Sequence, residues 1–350
     1  MTYRETLMGI NKVALLIAAA LLAGPVAATA QEYTVKNLGT LGGSSSIGHG
    51  INAKGEVTGV SSITGDAAQH AFLYSSGTMQ DLGTPSGPNS YGYGINESGH
   101  VTGDEEVIAD EAERAFLYSN GTIQDLGTLG GTNSEAYGIN ASAQVAGYSQ
   151  TTGNAAEHAF LYSSGSMQDL GTLGGTNSIG YGINAKGQVA GVSETKGDAG
   201  THAFLYSSGS MLDLGTLGGK GSAGYGINAK GQVTGVVETK GGAAQHAFLY
   251  SDGTMQDLGT LGGKDSEGLG INAKGQVTGW ANTTDNVAEQ YAFLYSDGTM
   301  TNLNSLISKK EAALYTLTSG QAINDRGQIV ANGTVNATGL QATFLLNPKK

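Results

Sequence analysis

The chain contains no cysteine, so no disulfide can staple it in an oxidising compartment. Stability must come from a packed core instead, and 350 residues are enough to build one. Proline is scarce at four residues, and tryptophan occurs once. Basic residues are also few: 17 Lys and Arg stand against 29 Asp and Glu, a net charge of −12. Nucleic acid and anionic lipid are held through Lys and Arg, so neither is an expected partner. What the chain has in excess is glycine, 58 residues or about 17% against an ordinary ~7%. No Gly-X-Y period accompanies it, which excludes collagen, and regularly spaced apolar residues oppose plain disorder. Tight turns and close backbone contacts remain as the reason for the glycine.

Long hydrophobic runs are missing except at the start. Arg4 and Lys12 precede the short apolar run Val13 to Gly24, and Ala28-Thr29-Ala30 then offers small residues where a signal peptidase reads. The run is too short to span about 30 Å of hydrocarbon comfortably. Residues 1–30 therefore read as a secretory signal peptide cleaved after Ala30. The mature chain, 31–350, is expected to be a single exported domain, periplasmic or extracellular, without a membrane span. Losing Arg4, Glu5 and Lys12 takes its charge from −12 to −13.

Self-comparison reveals a repeat. Phe recurs at 72, 116, 160, 204, 248, 293 and 344, at first in steps of 44 residues. An Ile-Asn pair keeps step, with Asn52, Asn96, Asn140, Asn184, Asn228, Asn272 and Asn324. Within one period, GYGIN, QVAGVS, HAFLYS and SMLDLG stand between Asn-Ala-Lys-Gly and Ser-Gly turns. Short β-branched and aromatic segments bounded by such turns are strands joined by hairpins. Four antiparallel strands every 44 residues match a propeller blade. Helix is nearly absent, with one candidate at Ser305 to Ala313.

The phase of the repeat gives the closure. YTVKNLG is a fourth strand with no blade before it, and QAIN, QIVANG and ATFLL are first, second and third strands with no fourth after them. An N-terminal strand completing the C-terminal blade would remove the open edges of a solenoid. The expected fold is all-β, a seven-bladed propeller of four-stranded antiparallel blades. An open β-solenoid is the rival. Gly alternates with larger residues in the first strand, as in Tyr91-Gly92-Tyr93-Gly94, which suits the crowded axis. That strand should be innermost and the fourth outermost.

At HAFLYS, MQDLGTLGG and GINAKGQVTG the chain resembles the HAF-repeat family of bacterial proteins, and the segment from Leu303 to Gly333 resembles that family's closing segment. The resemblance covers nearly all of 31–348. It implies export and a repeat-built β fold, and it supplies no catalytic residues. Arg114 and Tyr291 replace the recurring His, Ala143 a turn Gly, and Pro85 interrupts the second DLGT phrase.

The recurring His70, His158, His202 and His246 invite a metal reading, and Asp81, Asp125, Asp169, Asp213 and Asp257 invite acid–base chemistry. Both series sit one per blade on outer strands, where neighbouring copies diverge, while a metal needs ligands within about 2.1 Å of one point. Local structural roles are expected for both, and Asn37 and Asn302 replace the Asp. No metal, cofactor or catalytic residue is expected. Leu-Gly-Gly after DLGT lacks the Lys-Ser/Thr of a P-loop.

Function is sought where the copies differ. The loops between second and third strands vary, from SITGDAAQ to EEVIADEAE, and fall on one face of the ring. The residue after the second-strand Gly also varies: Val60, Asp104, Tyr148, Val192, Val236 and Trp280. Variation on one face of a fixed scaffold suits a binding surface, with unselected drift as the plain alternative. Tyr148, Trp280, Glu105 and Glu106 are the candidate ligand contacts. The expected function is a monomeric binding module for a carbohydrate, a surface partner or a cation. The alternatives are a purely structural surface protein or a propeller enzyme of lyase or glycosidase type. Such an enzyme needs non-equivalent titratable groups on the innermost strands, where His49 stands as the lone exception.

Overall fold

Each phrase of the repeat folds as four antiparallel strands in sequence order. In the fourth blade these are Gly174–Ile183, Val189–Thr195, Thr201–Ser207 and Ser210–Asp213. The turn after the first strand is organised by Asn184, whose Oδ1 accepts the N–H groups of Lys186 and Gln188. The turn after the third strand places Ser208 and Gly209 at φ +52° and +83°. Two successive positive φ values match the right-handed twist of the strands that they join. First strands run ten residues in this blade and six in the second and sixth, Ser90–Ile95 and Ser266–Ile271, longer than the GYGIN core suggested.

The protein is described by a computed structural model over residues 31–109, 111–284 and 289–349. The expected leader, Met1 to Ala30, lies outside the described residues. Among the described residues, the chain forms seven four-stranded sheets, a seven-bladed β-propeller. Tyr33–Asn37 pairs antiparallel with Leu340–Pro348, so the first strand of the described chain becomes the fourth strand of the last blade. The ring thereby has no open seam. The expected helix is present in shortened form, Lys309–Leu314, opened by a capping box between Ser308 and Glu311.

Three devices hold neighbouring blades together. The first is apolar: Phe72, Phe116, Phe160, Phe204, Phe248, Phe293 and Phe344 are all at 0% exposure. Each such burial contributes about 1.5–3 kcal/mol. The ring needs room, and the second-strand glycine supplies it. A Cβ at Gly191 would fall on the carbonyl oxygen of Ile179 and against the Phe204 ring.

The second device is a buried serine on the first strand of the first six blades. Ser178 Oγ accepts the N–H of Ala159 in the preceding blade at 2.9 Å and donates to the Gly171 carbonyl at 2.6 Å. The same pair of bonds recurs at Ser90, Ser134, Ser222 and Ser266.

The third device was not visible in the spacing alone. The Asn series does more than cap hairpins. Each buried Asn also donates Nδ2–H to the backbone carbonyl of its counterpart in the next blade, from Asn52 to Asn96 and on through Asn140, Asn184, Asn228 and Asn272 to Asn324. Asn324 then donates to the carbonyl of Asn52 at 2.9 Å. The bonds form a complete circle on the face carrying the uniform turns.

Candidate functional site

The first strands line the central channel, as their alternation of small and large residues suggested. Gly50, Gly94, Gly138, Gly182 and Gly226 sit where a Cβ would press on the backbone carbonyl of the next blade. Ile51, Ile95, Ile139, Ile183, Ile227, Ile271 and Ile323 then form an apolar collar toward the uniform-turn face. Above the collar, five rings run edge to edge around the axis. Centroid separations are 5.0 Å for His49–Tyr93, 5.2 Å for Tyr93–Tyr137, 5.1 Å for Tyr137–Tyr181 and 5.1 Å for Tyr181–Tyr225. His49 Nδ1 lies 2.9 Å from the Gly92 carbonyl, so that nitrogen donates its proton. Burial pushes its pKa down. His49 is thus held as a neutral ring in the wall.

The next layer, toward the variable loops, breaks the symmetry. Each position pairs a first-strand residue with the variable residue of the second strand. In the first, fourth and fifth blades the pairs are apolar: Ile47 with Val60, Ile179 with Val192, and Ala223 with Val236. The second, third and sixth blades instead carry Tyr91 with Asp104, Glu135 with Tyr148, and Glu267 with Trp280. Cross-strand partners share one face of a sheet, so each acid meets an aromatic ring.

Two of the expected contacts therefore fall at this mouth, but as parts of pairs. Tyr148 donates its hydroxyl to Glu135 Oε1 at 2.7 Å, and Tyr137 donates to Oε2 of the same carboxylate at 2.6 Å. Burial and the Glu135 carboxylate hold both phenols far above their ordinary pKa. Trp280 donates its indole N–H to Glu267 Oε2 at 3.0 Å. Burial raises the Glu267 pKa, while Trp280 and Tyr225 partly oppose that shift by hydrogen bonding.

The other two expected contacts fare differently. Glu106 is half-buried and accepts from Asn89 Nδ2 at 3.0 Å. Glu105, expected on the binding face, is only 3% exposed and accepts from Ser86 Oγ at 3.3 Å. Successive strand residues point to opposite sheet faces, which sends Glu105 into the blade interface when Asp104 faces the mouth.

His49 is also not the lone titratable group on the innermost strands. Glu135 and Glu267 lie there as well, within Gly130–Ile139 and Ser266–Ile271. They stand two residues before the aromatic position, outside the GYGIN core, where other copies have Ile, Tyr or Ala. Their departure from the repeat was the available signal. Asp104 belongs to the same layer and is 3% exposed. Burial, then the nearby Glu135 and Glu113 carboxylates, push its pKa up to about 8.

The repeated His and Asp lie away from this mouth, and they meet each other. His70 bonds Asp81, His158 bonds Asp169, His202 bonds Asp213 and His246 bonds Asp257, each at 2.8 Å across the outer hairpin. The same Asp caps its own turn, as when Gly171 N–H donates to Asp169 Oδ1 at 2.7 Å. Asn37 and Asn302 perform that capping with their amide oxygens, accepting from Gly39 and Asn304. Among the described residues, no three His, Asp or Glu side chains converge as metal ligands. No helix there is long and apolar enough to cross a membrane.

Comparisons with known proteins agree on the architecture. A family described as "Protein of unknown function (DUF3466)" matches residues 220–344, within the last three blades. No curated protein matches the chain. The β-propeller domain of the Trilobed protease from Pyrococcus furiosus is similar at 9% identity and TM-score 0.56, covering 87% of this chain and 96% of that one. An oligogalacturonate lyase in complex with manganese is similar at 10% identity and TM-score 0.53, covering 92% and 95%. TolB from Acinetobacter baumannii matches at 15% identity and TM-score 0.45, covering 64% of this chain and 61% of that one. The chain thus spans about three fifths of that TolB's length. The likeness to the Trilobed protease domain shows the propeller fold, and the seven four-stranded sheets make this chain a seven-bladed β-propeller.

Proposed function

We propose that the protein is an exported binding module that takes its ligand at the variable-loop mouth of the channel. The observation that carries this is the asymmetric layer there. A ring of near-identical blades places acid–aromatic pairs at three positions, Asp104 with Tyr91, Glu135 with Tyr148 and Glu267 with Trp280, and apolar pairs at three others. Packing alone is satisfied by the apolar version, as the first, fourth and fifth blades demonstrate. Aromatic faces beside hydrogen-bonding carboxylates suit a sugar or a cationic group. Export follows from reading Met1 to Ala30 as a leader, and membership of the HAF-repeat family from the repeated phrases; both belong to this proposal.

A glycan array and a calcium titration of residues 31–350 test it. Binding that Trp280→Ala or Tyr148→Ala abolishes, with the fold retained by circular dichroism, is the expected result. A blank on both assays would favour a purely structural role for the ring.

A further inference from the structure

The acid–aromatic pairs are unequal, and the difference lies between the second and third blades. Asp104 lies against the Tyr93 hydroxyl and within electrostatic reach of Glu135, Glu113 and Glu106. It is 3% exposed, and its Oδ1 atom has no hydrogen-bond partner. A buried carboxyl oxygen left unbonded is costly, so its retention beside further carboxylates calls for a role. Glu113 on the third strand reaches toward Glu135, and burial and that neighbour raise its pKa. Around these acids stand four phenol rings. Tyr93 and Tyr137 are 5.2 Å apart, Tyr137 and Tyr148 stack at 6.4 Å, and Tyr91 is the cross-strand partner of Asp104. Beside them, Glu106, Glu111, Glu113 and Asn133 line a surface cavity of about 400 Å³ that opens to solvent.

We propose that this part of the mouth binds an organic ammonium group, with Asp104 and Glu135 as its anionic partners and Tyr91, Tyr93, Tyr137 and Tyr148 as its walls. The inference rests on reading the mouth as a ligand site, and it names the ligand's chemistry. Three features select an ammonium over a metal ion. The described carboxylates do not converge as metal ligands. Both oxygens of Glu135 already accept phenol hydroxyls, a geometry that holds the carboxylate at the depth of the rings rather than on a bare ion. Aromatic faces attract a cation within about 6 Å of the ring centroid, and organic ammonium groups are recognised in this way. The side chains that bear most on Asp104 are Glu135, Glu113, Tyr93 and Glu106, so a cation entering there meets acids and a phenol. The rim of the neighbouring cavity is acidic as well, with Glu106, Glu111 and Glu113.

Calorimetric titration of residues 31–350 with spermidine, at near-physiological salt and pH 7, is the test. The wild-type protein should bind saturably. Asp104→Asn should weaken binding about tenfold or more, the scale of one charge-assisted contact. Glu135→Gln is the second variant, should the first alter the fold. Asp252→Ser, on the opposite face, restores the serine of other repeats and should leave affinity unchanged. Binding should also release a proton at pH 7, because a cation beside Asp104 favours its ionised form, and Asp104→Asn should abolish that release. Equal weakening by Asp252→Ser and Asp104→Asn would reduce the effect to diffuse charge and overturn the proposal. So would calcium binding that depends on the same two acids. No spermidine binding, with a neutral sugar bound in a Trp280-dependent manner, would refute the ammonium while leaving the binding module standing.

Discussion

The circle of asparagines yields the sharpest stability test. Asn184 makes four side-chain hydrogen bonds: to Gln188 Oε1 at 2.8 Å, to the Asn228 carbonyl at 3.0 Å, and from the N–H groups of Lys186 and Gln188. Its side chain is 4% exposed, so water replaces little of this on truncation. At about 1 kcal/mol net per bond, Asn184→Ala should cost about 2–4 kcal/mol. Asn324→Ala should cost the same, because its bond to Asn52 closes the circle across the seam. Asn184→Asp separates the two functions of the residue. It keeps the acceptor that caps the turn, and it sets a carboxylate against the Asn228 carbonyl in place of a donor. That pairing raises the folded-state pKa of the new acid. The variant should therefore be most stable below about pH 4, where its protonated form can donate, and lose stability as pH rises through the raised folded value. Urea unfolding midpoints across pH 3–8 read all of this. A loss below about 0.5 kcal/mol for Asn184→Ala, or an Asn184→Asp variant indistinguishable from wild type at every pH, would refute the circle as a source of stability.

Three further outcomes are expected. Asp104 has its folded pKa raised from 3.8 to about 8, so its protonated form favours folding and stability falls as pH rises from about 4 to 8. Asp104→Asn should therefore be the more stable protein at pH 8 and equal to wild type near pH 3; parallel thermal midpoints at both pH values would contradict this. Gly191→Ala drives a methyl into the Ile179 carbonyl and the Phe204 ring, and should cost about 1–3 kcal/mol or more by thermal unfolding. Ala143 holds φ +56° at a turn where other copies use Gly, so Ala143→Gly should stabilise by about 0.5–1 kcal/mol despite the added chain entropy, and a loss of stability would show the turn is unstrained.

Much of this architecture could be read from residues alone, because a repeat states its geometry many times. The 44-residue period, the Asn-Ala-Lys-Gly and Ser-Gly turns and the unmatched strand at each end are local facts, and each carries one physical meaning. The buried Phe series and the small residues near the axis followed from the same logic. The candidate site was legible only in part. Tyr148 and Trp280 were singled out because they vary, and they do reach the channel mouth. Glu105 varies too, but strand alternation turns it inward. Glu135 and Glu267 escaped notice because the strand extends beyond its most regular core.

The sequence by itself determined the blade, the number of blades and the way the ring closes, since hydrogen bonding between neighbouring strands is set by turns and alternation over short distances. The tertiary structure decided which departures from the repeat matter. Only the packing of blade on blade brings residues 44 positions apart into one wall and sets Asp104 beside Glu135 and four phenol rings, and only closure of the ring joins Asn324 to Asn52. Those meetings depend on the angle between blades, which no single repeat encodes.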